Sequence, residues 1–256
     1  MVHSGIRERT MQATKIEFRL RMVIMASLIV IGFWAPWIEA WRIGTRRPLL
    51  EWLPIEFSRH GVFSFAVATR LIIVVAALIA AKAMVFRIWG AAYLGPATVT
   101  HSSMRGDALV ASGPYCHVRN PLYIGLCAMV SALAFLMPAT GALFVLLAVP
   151  VFLLRLTLGE EAFLTAQLGE PYQEYLRAVP RLIPRLKSTL PHAPGKPQWL
   201  RAALSECTQI GLFLAFAVFA WSYDLRLMAR VILVSFGVSL VARALLPGLP
   251  RTAGQG

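Results

Sequence analysis

Acidic residues are scarce in this chain: 12 Asp and Glu stand against 25 Lys and Arg in 256 residues, and charged residues of either sign make up only 14%. With 58% hydrophobic residues and a mean hydropathy of +0.66, that excludes an ordinary soluble domain, whose apolar share is about 45–50%. Cysteine is also sparse. Cys116, Cys127 and Cys207 make an odd number with no C-x-x-C spacing, which suggests neither a disulfide framework nor a zinc site. The histidines His60, His101 and His192 fall in loops without metal-ligand spacing, so no metal is expected and they read as surface residues. The positive excess is broken up between apolar runs rather than gathered into a basic stripe with interleaved aromatics, which argues against a nucleic-acid partner. Basic loops held against anionic membrane lipids account for it instead.

What the chain does have is long apolar runs. Stretches near 22–40, 61–85, 122–137, 140–158, 208–222 and 228–246 approach or exceed the roughly 20 helical residues that cross a hydrocarbon core. The expected fold is therefore an all-α, polytopic membrane bundle of about six segments. The first run follows a basic stretch (Arg7, Arg9, Lys15, Arg19, Arg21), but it is long for a signal peptide and lacks a small-residue cleavage pattern, so a retained helix is expected. The runs 122–137 and 140–158, joined through Pro138 and Gly141, suggest a tight hairpin, with Pro150 kinking its second arm. Placing both termini in the cytoplasm assigns 18 Lys and Arg to inner loops against 6 to outer ones, in accord with the positive-inside rule. A cytoplasmic (inner) membrane location follows. The expected organisation is an N-terminal membrane unit over 1–85, a core with helical hairpin and cytoplasmic cap over 86–190, and a C-terminal helix pair over 191–256. Turn-forming residues make 86–120 look irregular. The spacing of Leu168, Tyr172, Tyr175, Leu176 and Val179 before Pro180 and Pro184 makes 159–186 look like one amphipathic helix. Oligomeric state is not legible.

Two clusters concentrate polar chemistry at one membrane surface. Gly113 to Gly125 reads G-P-Y-C-H-V-R-N-P-L-Y-I-G: a Gly-Pro turn, then Asn120 as a helix N-cap with Pro121 at the first helical position. Capping explains Asn-Pro; it does not explain Tyr115, His117, Arg119 and Tyr123 in the same turn, where unpaired backbone N–H groups favour an anionic ligand group. The second cluster is Glu160-Glu161. Adjacent carboxylates repel unless solvated or given a cation, and they read either as solvated charges at the end of a span or as a carboxylate that receives a ligand's ammonium or lies near a sulfonium.

The ordered set of G-P-Y-x-x-x-R-[HN]-P-x-Y-x-G at Gly113 to Gly125, E-E-x-x-L at Glu160 to Leu164, and Gly169 to Tyr175 with V-P-R-x-I-P at Val179 to Pro184 closely resembles the isoprenylcysteine carboxyl methyltransferase and phospholipid methyltransferase superfamily over roughly residues 86–186. The resemblance implies a polytopic enzyme that uses S-adenosyl-L-methionine in a pocket under a cytoplasmic cap and receives a lipid or other hydrophobic acceptor from the bilayer. By position it implies that Asp107, Leu109, Val110, Tyr115, Asn120, Pro121, Leu122 and Tyr123 line the cofactor site, with His117 and Arg119 beside them, and that Glu160 contacts the cofactor. Glu161 and Tyr123 are the candidates for assisting proton loss from an amine acceptor.

Two departures bear on the acceptor. Asn120 stands where the more common residue is His, which keeps hydrogen bonding but removes a titratable ring. In isoprenylcysteine enzymes an arginine four residues before the equivalent of Glu160 binds substrate; Leu156 stands there, and Arg155 points about 100° away on a helix, which argues against a prenylcysteine acceptor. Two competing readings are a sterol-reductase-like NADPH enzyme, which shares an Arg-x-Pro-x-Tyr-x-Gly turn but more often has an acidic residue where Leu126 stands, and a non-catalytic lipid-binding protein. Arg70, inside an apolar run, reads either as a lipid-phosphate ligand or as a side chain that snorkels or pairs with a buried carbonyl. Arg181, Arg185 and Lys187 read as holding the cap to anionic lipid, or alternatively as ligands of a substrate phosphate.

Overall fold

The computed structural model describes residues 12–94, 112–187 and 196–245. Among them the chain is helical, and the one β-bridge joins Pro48 to Pro138. The helices are α1 (Lys15–Arg19), α2 (Arg21–Trp34), α3 (Trp37–Trp41), α4 (Leu49–Arg59), α5 (Phe65–Leu94), α6 (Pro121–Ala134), α7 (Ala139–Leu168), α8 (Glu170–Ala178), α9 (Trp199–Ser205), α10 (Cys207–Ser222) and α11 (Leu225–Leu245), with a 3-10 turn at Gly113–Cys116.

Among the described residues three helices are long and apolar enough to cross a membrane: α5, α7 and α11 through Ala242. A fourth crossing is available if α9 and α10, bent by 71° at Glu206, act as one broken span. Two of the six expected spans are shorter as helices. The 22–40 run ends as α2 at Trp34 because Ala35 turns left-handed at φ 40°, and the 122–137 run is the 14-residue α6. At 1.5 Å per residue each is about 21 Å long, short of a hydrocarbon core of about 30 Å. The second hairpin arm, by contrast, is longer than its apolar run: α7 continues through Pro150 and past Glu160-Glu161 to Leu168. Residues 86–94, expected to be irregular, complete α5. The expected single cap helix is also broken. Gly169 at φ +63° ends α7, and α8 starts anew; a left-handed residue there suits glycine, which has no Cβ to clash.

The hairpin of α6 and α7 is held from both sides. At the hairpin's turn Leu49 N–H donates to Met137 O at 2.9 Å and Leu50 N–H to Phe135 O at 2.8 Å, so the start of α4 satisfies carbonyls freed where α6 ends. Trp37 Nε1–H adds a bond to Thr140 Oγ1 at 3.0 Å. Helix α2 crosses α7 with almost no gap: a Cβ on Gly141 would lie 1.9 Å from Gly32 O, and one on Gly32 would lie 2.1 Å from Val145 Cγ2. Small residues that let backbones touch are a common means of membrane helix packing, where no hydrophobic force separates protein from lipid. Gly141→Ala should therefore force the helices apart and cost about 1–3 kcal/mol, read as a lower melting temperature in detergent. Gly237→Ala, whose new methyl meets nothing within 4 Å, should leave that temperature unchanged or slightly raised.

The N-terminal segment is packed along the far end of α7. Thr14 and Glu17 form a reciprocal capping box, Ala13 N–H donates to Arg155 O at 3.0 Å, and Arg155 Nη2 bonds both Glu17 carboxylate oxygens at 3.0 Å. Phe18 is buried in one core cluster with Val149, Phe152, Leu153 and Leu156, and Tyr123 packs against the same cluster. Arg70, one of the candidate residues, is exposed five residues into α5, as a snorkelling arginine near a helix end would be.

Candidate functional site

The sequence from Ser112 to Tyr123 folds as a short turn that delivers the chain into α6. Gly113 at φ +57° starts it, and a Cβ there would strike the Tyr93 ring at 2.5 Å. Both the left-handed angle and the close approach call for glycine at this position. Tyr115 is buried, and burial raises its phenol well above the ordinary range, so it stays a neutral O–H. Its Oη has no hydrogen-bond partner among the described residues. Asn120 occupies the N-cap position of α6 but makes no side-chain capping bond; only its carbonyl takes part, accepting from Tyr123 N–H and Ile124 N–H at 3.2 Å each. Its Nδ2 is likewise buried without a described partner. The expected capping role is thus not performed by the Asn120 side chain, and the motif holds two orphaned polar atoms. A buried donor left unsatisfied costs about 1–3 kcal/mol, so these atoms fit a site completed by a polar ligand.

The two adjacent carboxylates have separate environments. Glu160 is half-buried and accepts a hydrogen bond from the Tyr123 O–H at 2.6 Å; no other described residue bonds it. Glu161, one position on and about 100° around the helix, is buried and fully engaged. Arg119 Nη1 reaches it at 3.0 Å, and Arg181 reaches both its oxygens through Nε and Nη2, the shortest contact being 2.6 Å.

That ion cluster is the centre of a latch that closes the cap. Arg119 Nε–H donates to Val179 O at 2.6 Å and its Nη2 to Leu176 O, while its backbone N–H donates to Pro180 O at 3.0 Å. Tyr175 O–H donates to Tyr115 O at 2.9 Å. His117 Nδ1–H donates to Arg185 O at 2.7 Å and its carbonyl accepts from Arg185 N–H at 3.0 Å. Tyr172 and Tyr175 of α8 and Val179 just after it form one buried cluster, and burial raises both phenols well above their usual range, keeping them neutral.

Of the residues singled out in the sequence, Tyr115, Asn120, Tyr123 and Glu160 belong to the part of the site with open polar capacity. His117, Arg119 and Glu161 fasten the cap, and Glu161 has no free oxygen to act as a base. Pro121 and Leu122 pack on Gly90 of α5. Arg181 bonds Glu161, and the exposed Arg185 also donates to Ala178 O. Leu156 is in the core and Arg155 holds Glu17. Asp107, Leu109 and Val110 lie outside the described residues, as do His101 and His192.

Two charged groups make contacts that were not legible in the sequence. Arg21, the first residue of α2, is stacked on the Phe18 ring with its guanidinium carbon 4.4 Å from the centroid. In the sequence it is one of five basic residues before an apolar run, with nothing to distinguish it. Glu206 is buried to 2% exposure at the α9–α10 bend and takes a bidentate pair from Arg87, at 2.6 and 2.8 Å. Gly125 makes room for that arginine, since a Cβ there would lie 2.7 Å from Arg87 Cγ. A lone carboxylate between apolar runs, in a chain with few acids, was the available signal.

Residues 71–170 match the family model described as phospholipid methyltransferase, a family of methyltransferases. The match spans α5 from Leu71 through Glu160-Glu161 and agrees with the superfamily resemblance carried by the motifs. No curated protein matches the chain. No solved structure matches it either.

Proposed function

From the phospholipid methyltransferase match over residues 71–170, we propose that this membrane protein transfers a methyl group from S-adenosyl-L-methionine to the headgroup nitrogen of a phospholipid. The observation that carries the reading is unused polar capacity in the matched region: the Glu160 carboxylate bonded by the Tyr123 hydroxyl, and the orphaned Tyr115 Oη and Asn120 Nδ2 of the motif that leads into α6. When bound, S-adenosyl-L-methionine would supply an electrophilic methyl group on a sulfonium, with a neutral thioether as the group that leaves. Glu160 receives the ammonium of the donor's amino-acid end, and Tyr123 O–H holds that carboxylate in place. Tyr115 Oη and Asn120 Nδ2 provide hydrogen bonds to the ligand's remaining polar groups. Glu161 is a positioning residue, because its oxygens are already used by Arg119 and Arg181. The acceptor amine must shed its proton to solvent before attack, and the protein contributes chiefly alignment and exclusion of water under the cap.

The acceptor side rests on the cap and on Leu156. Leu182, Ile183 and Leu186 are exposed beside Arg185 and Lys187, an apolar-and-basic edge suited to anionic headgroups at the cytoplasmic surface of the membrane. Leu156, packed in the core, leaves no arginine at the prenylcysteine-binding position.

Detergent-purified protein should bind S-adenosyl-L-methionine in calorimetry, and Glu160→Ala should weaken the affinity roughly tenfold to hundredfold, the worth of a hydrogen bond to a charged group. Binding of NADPH with no response to S-adenosyl-L-methionine would favour the reductase reading instead.

A further inference from the structure

We propose that Glu206, which lies beyond the matched region, is a positioning residue for the methyl-donor site: through Arg87 it fixes the entry of α6, from which the Tyr123 hydroxyl holds Glu160. The inference rests on the methyl-donor reading above and extends the support of that site to the C-terminal helices.

Each link is a direct contact. At the α9–α10 bend, the buried Glu206 carboxylate accepts from Arg87 Nε–H at 2.8 Å and Nη2–H at 2.6 Å. Those two bonds set the guanidinium plane, and its remaining branch, Nη1–H, donates to Leu122 O in the first turn of α6 at 3.5 Å. The arginine stem lies across the Gly125 backbone, where a Cβ would come within 2.7 Å of Cγ and 3.1 Å of Cδ. Tyr123 stands between these two contacts in the chain, and its hydroxyl donates to Glu160 at 2.6 Å.

The rest of α9 backs the same motif. Ala202 is buried with Ala91 and Ala92 of α5, and Leu122 and Tyr93 pack on that cluster. Trp199 meets Tyr93 edge to face with ring centroids 6.5 Å apart, and the Tyr93 ring fills the space that a Cβ on Gly113 would need. Both ends of Gly113 to Gly125 are thus backed by contacts that lead to α9. A carboxylate that takes two parallel N–H bonds from one arginine fixes that arginine's orientation. An apolar pair of similar volume restores stability without supplying that orientation.

Calorimetry with S-adenosyl-L-methionine and thermal unfolding in detergent separate positioning from stability. In Arg87→Met with Glu206→Leu, a melting temperature near the parent's should accompany an affinity reduced roughly tenfold, within the usual range for groups in one network. Glu206→Gln keeps the shape and one acceptor oxygen and should lose less. In a Tyr123→Phe background the same double substitution should cost no further affinity, because the hydroxyl through which it acts is gone. Parent-like affinity in the double variant would overturn the inference and leave Glu206 a structural partner alone. So would a full additional loss in the Tyr123→Phe background. Should the double variant not fold, Glu206→Gln carries the comparison, and its unchanged affinity would overturn the inference equally. Absence of binding by the unaltered protein would overturn the donor reading, and this inference with it.

Discussion

Glu161→Ala is expected to detach the cap and to destabilise the protein by about 3–5 kcal/mol, the usual cost of removing one partner from a buried ion pair. Arg119 is only 14% exposed and would keep its bonds to the Val179 and Leu176 carbonyls while losing its counter-charge. Arg181, at 38% exposure, is better solvated, so its share of the cluster is smaller. The check is thermal unfolding in detergent together with limited proteolysis of residues 179–187, which should become cleavable in Glu161→Ala. Glu160→Gln should behave in the opposite way, melting near the parent temperature while losing affinity for the methyl donor. A Glu161→Ala protein that melts like the parent and loses only ligand binding would show that this carboxylate touches ligand after all.

The second large effect is expected at the bend between α9 and α10. Glu206→Ala removes both bonds from Arg87 and leaves its guanidinium largely buried, again at a cost of about 3–5 kcal/mol. Replacing both partners with apolar residues, as in Arg87→Met with Glu206→Leu, should recover most of that loss, because no uncompensated charge remains. Thermal unfolding of the two single variants and the double variant forms the cycle. If the double variant is as unstable as the sum of the singles, the pair is not coupled in the way the bidentate geometry requires. The cycle also probes how the C-terminal helices are joined to the matched region, since Arg87 lies within residues 71–170 and Glu206 beyond them.

The all-helical membrane fold was legible because composition and apolar run length depend on local sequence alone. Individual spans were less so. The left-handed Ala35 that stops α2 carries no turn-forming residue type, and nothing at Pro150 tells a reader that α7 will pass through it to Leu168. The Glu-Glu pair stood out in the sequence as a polar cluster in a chain poor in acids, yet its division of contacts did not. That division depends on the 100° between neighbours on a helix and on which side receives Arg119 and Arg181, residues 42 and 20 positions away. Asn120 looked like a cap because its residue type and the following proline fit one. Its unpartnered amide is a three-dimensional fact that sequence does not carry. Glu206 was missed for the same reason: it matters through Arg87, 119 positions away.

The central claim is methyl transfer to a membrane lipid. The most direct measurement is to reconstitute the protein in vesicles containing an ethanolamine phospholipid, add S-adenosyl-L-methionine labelled at its methyl group, and extract the lipid. Label is expected in the N-methylated headgroup, with little transfer by Glu160→Ala. Label that reaches no lipid, from protein that binds the methyl donor, would contradict the account.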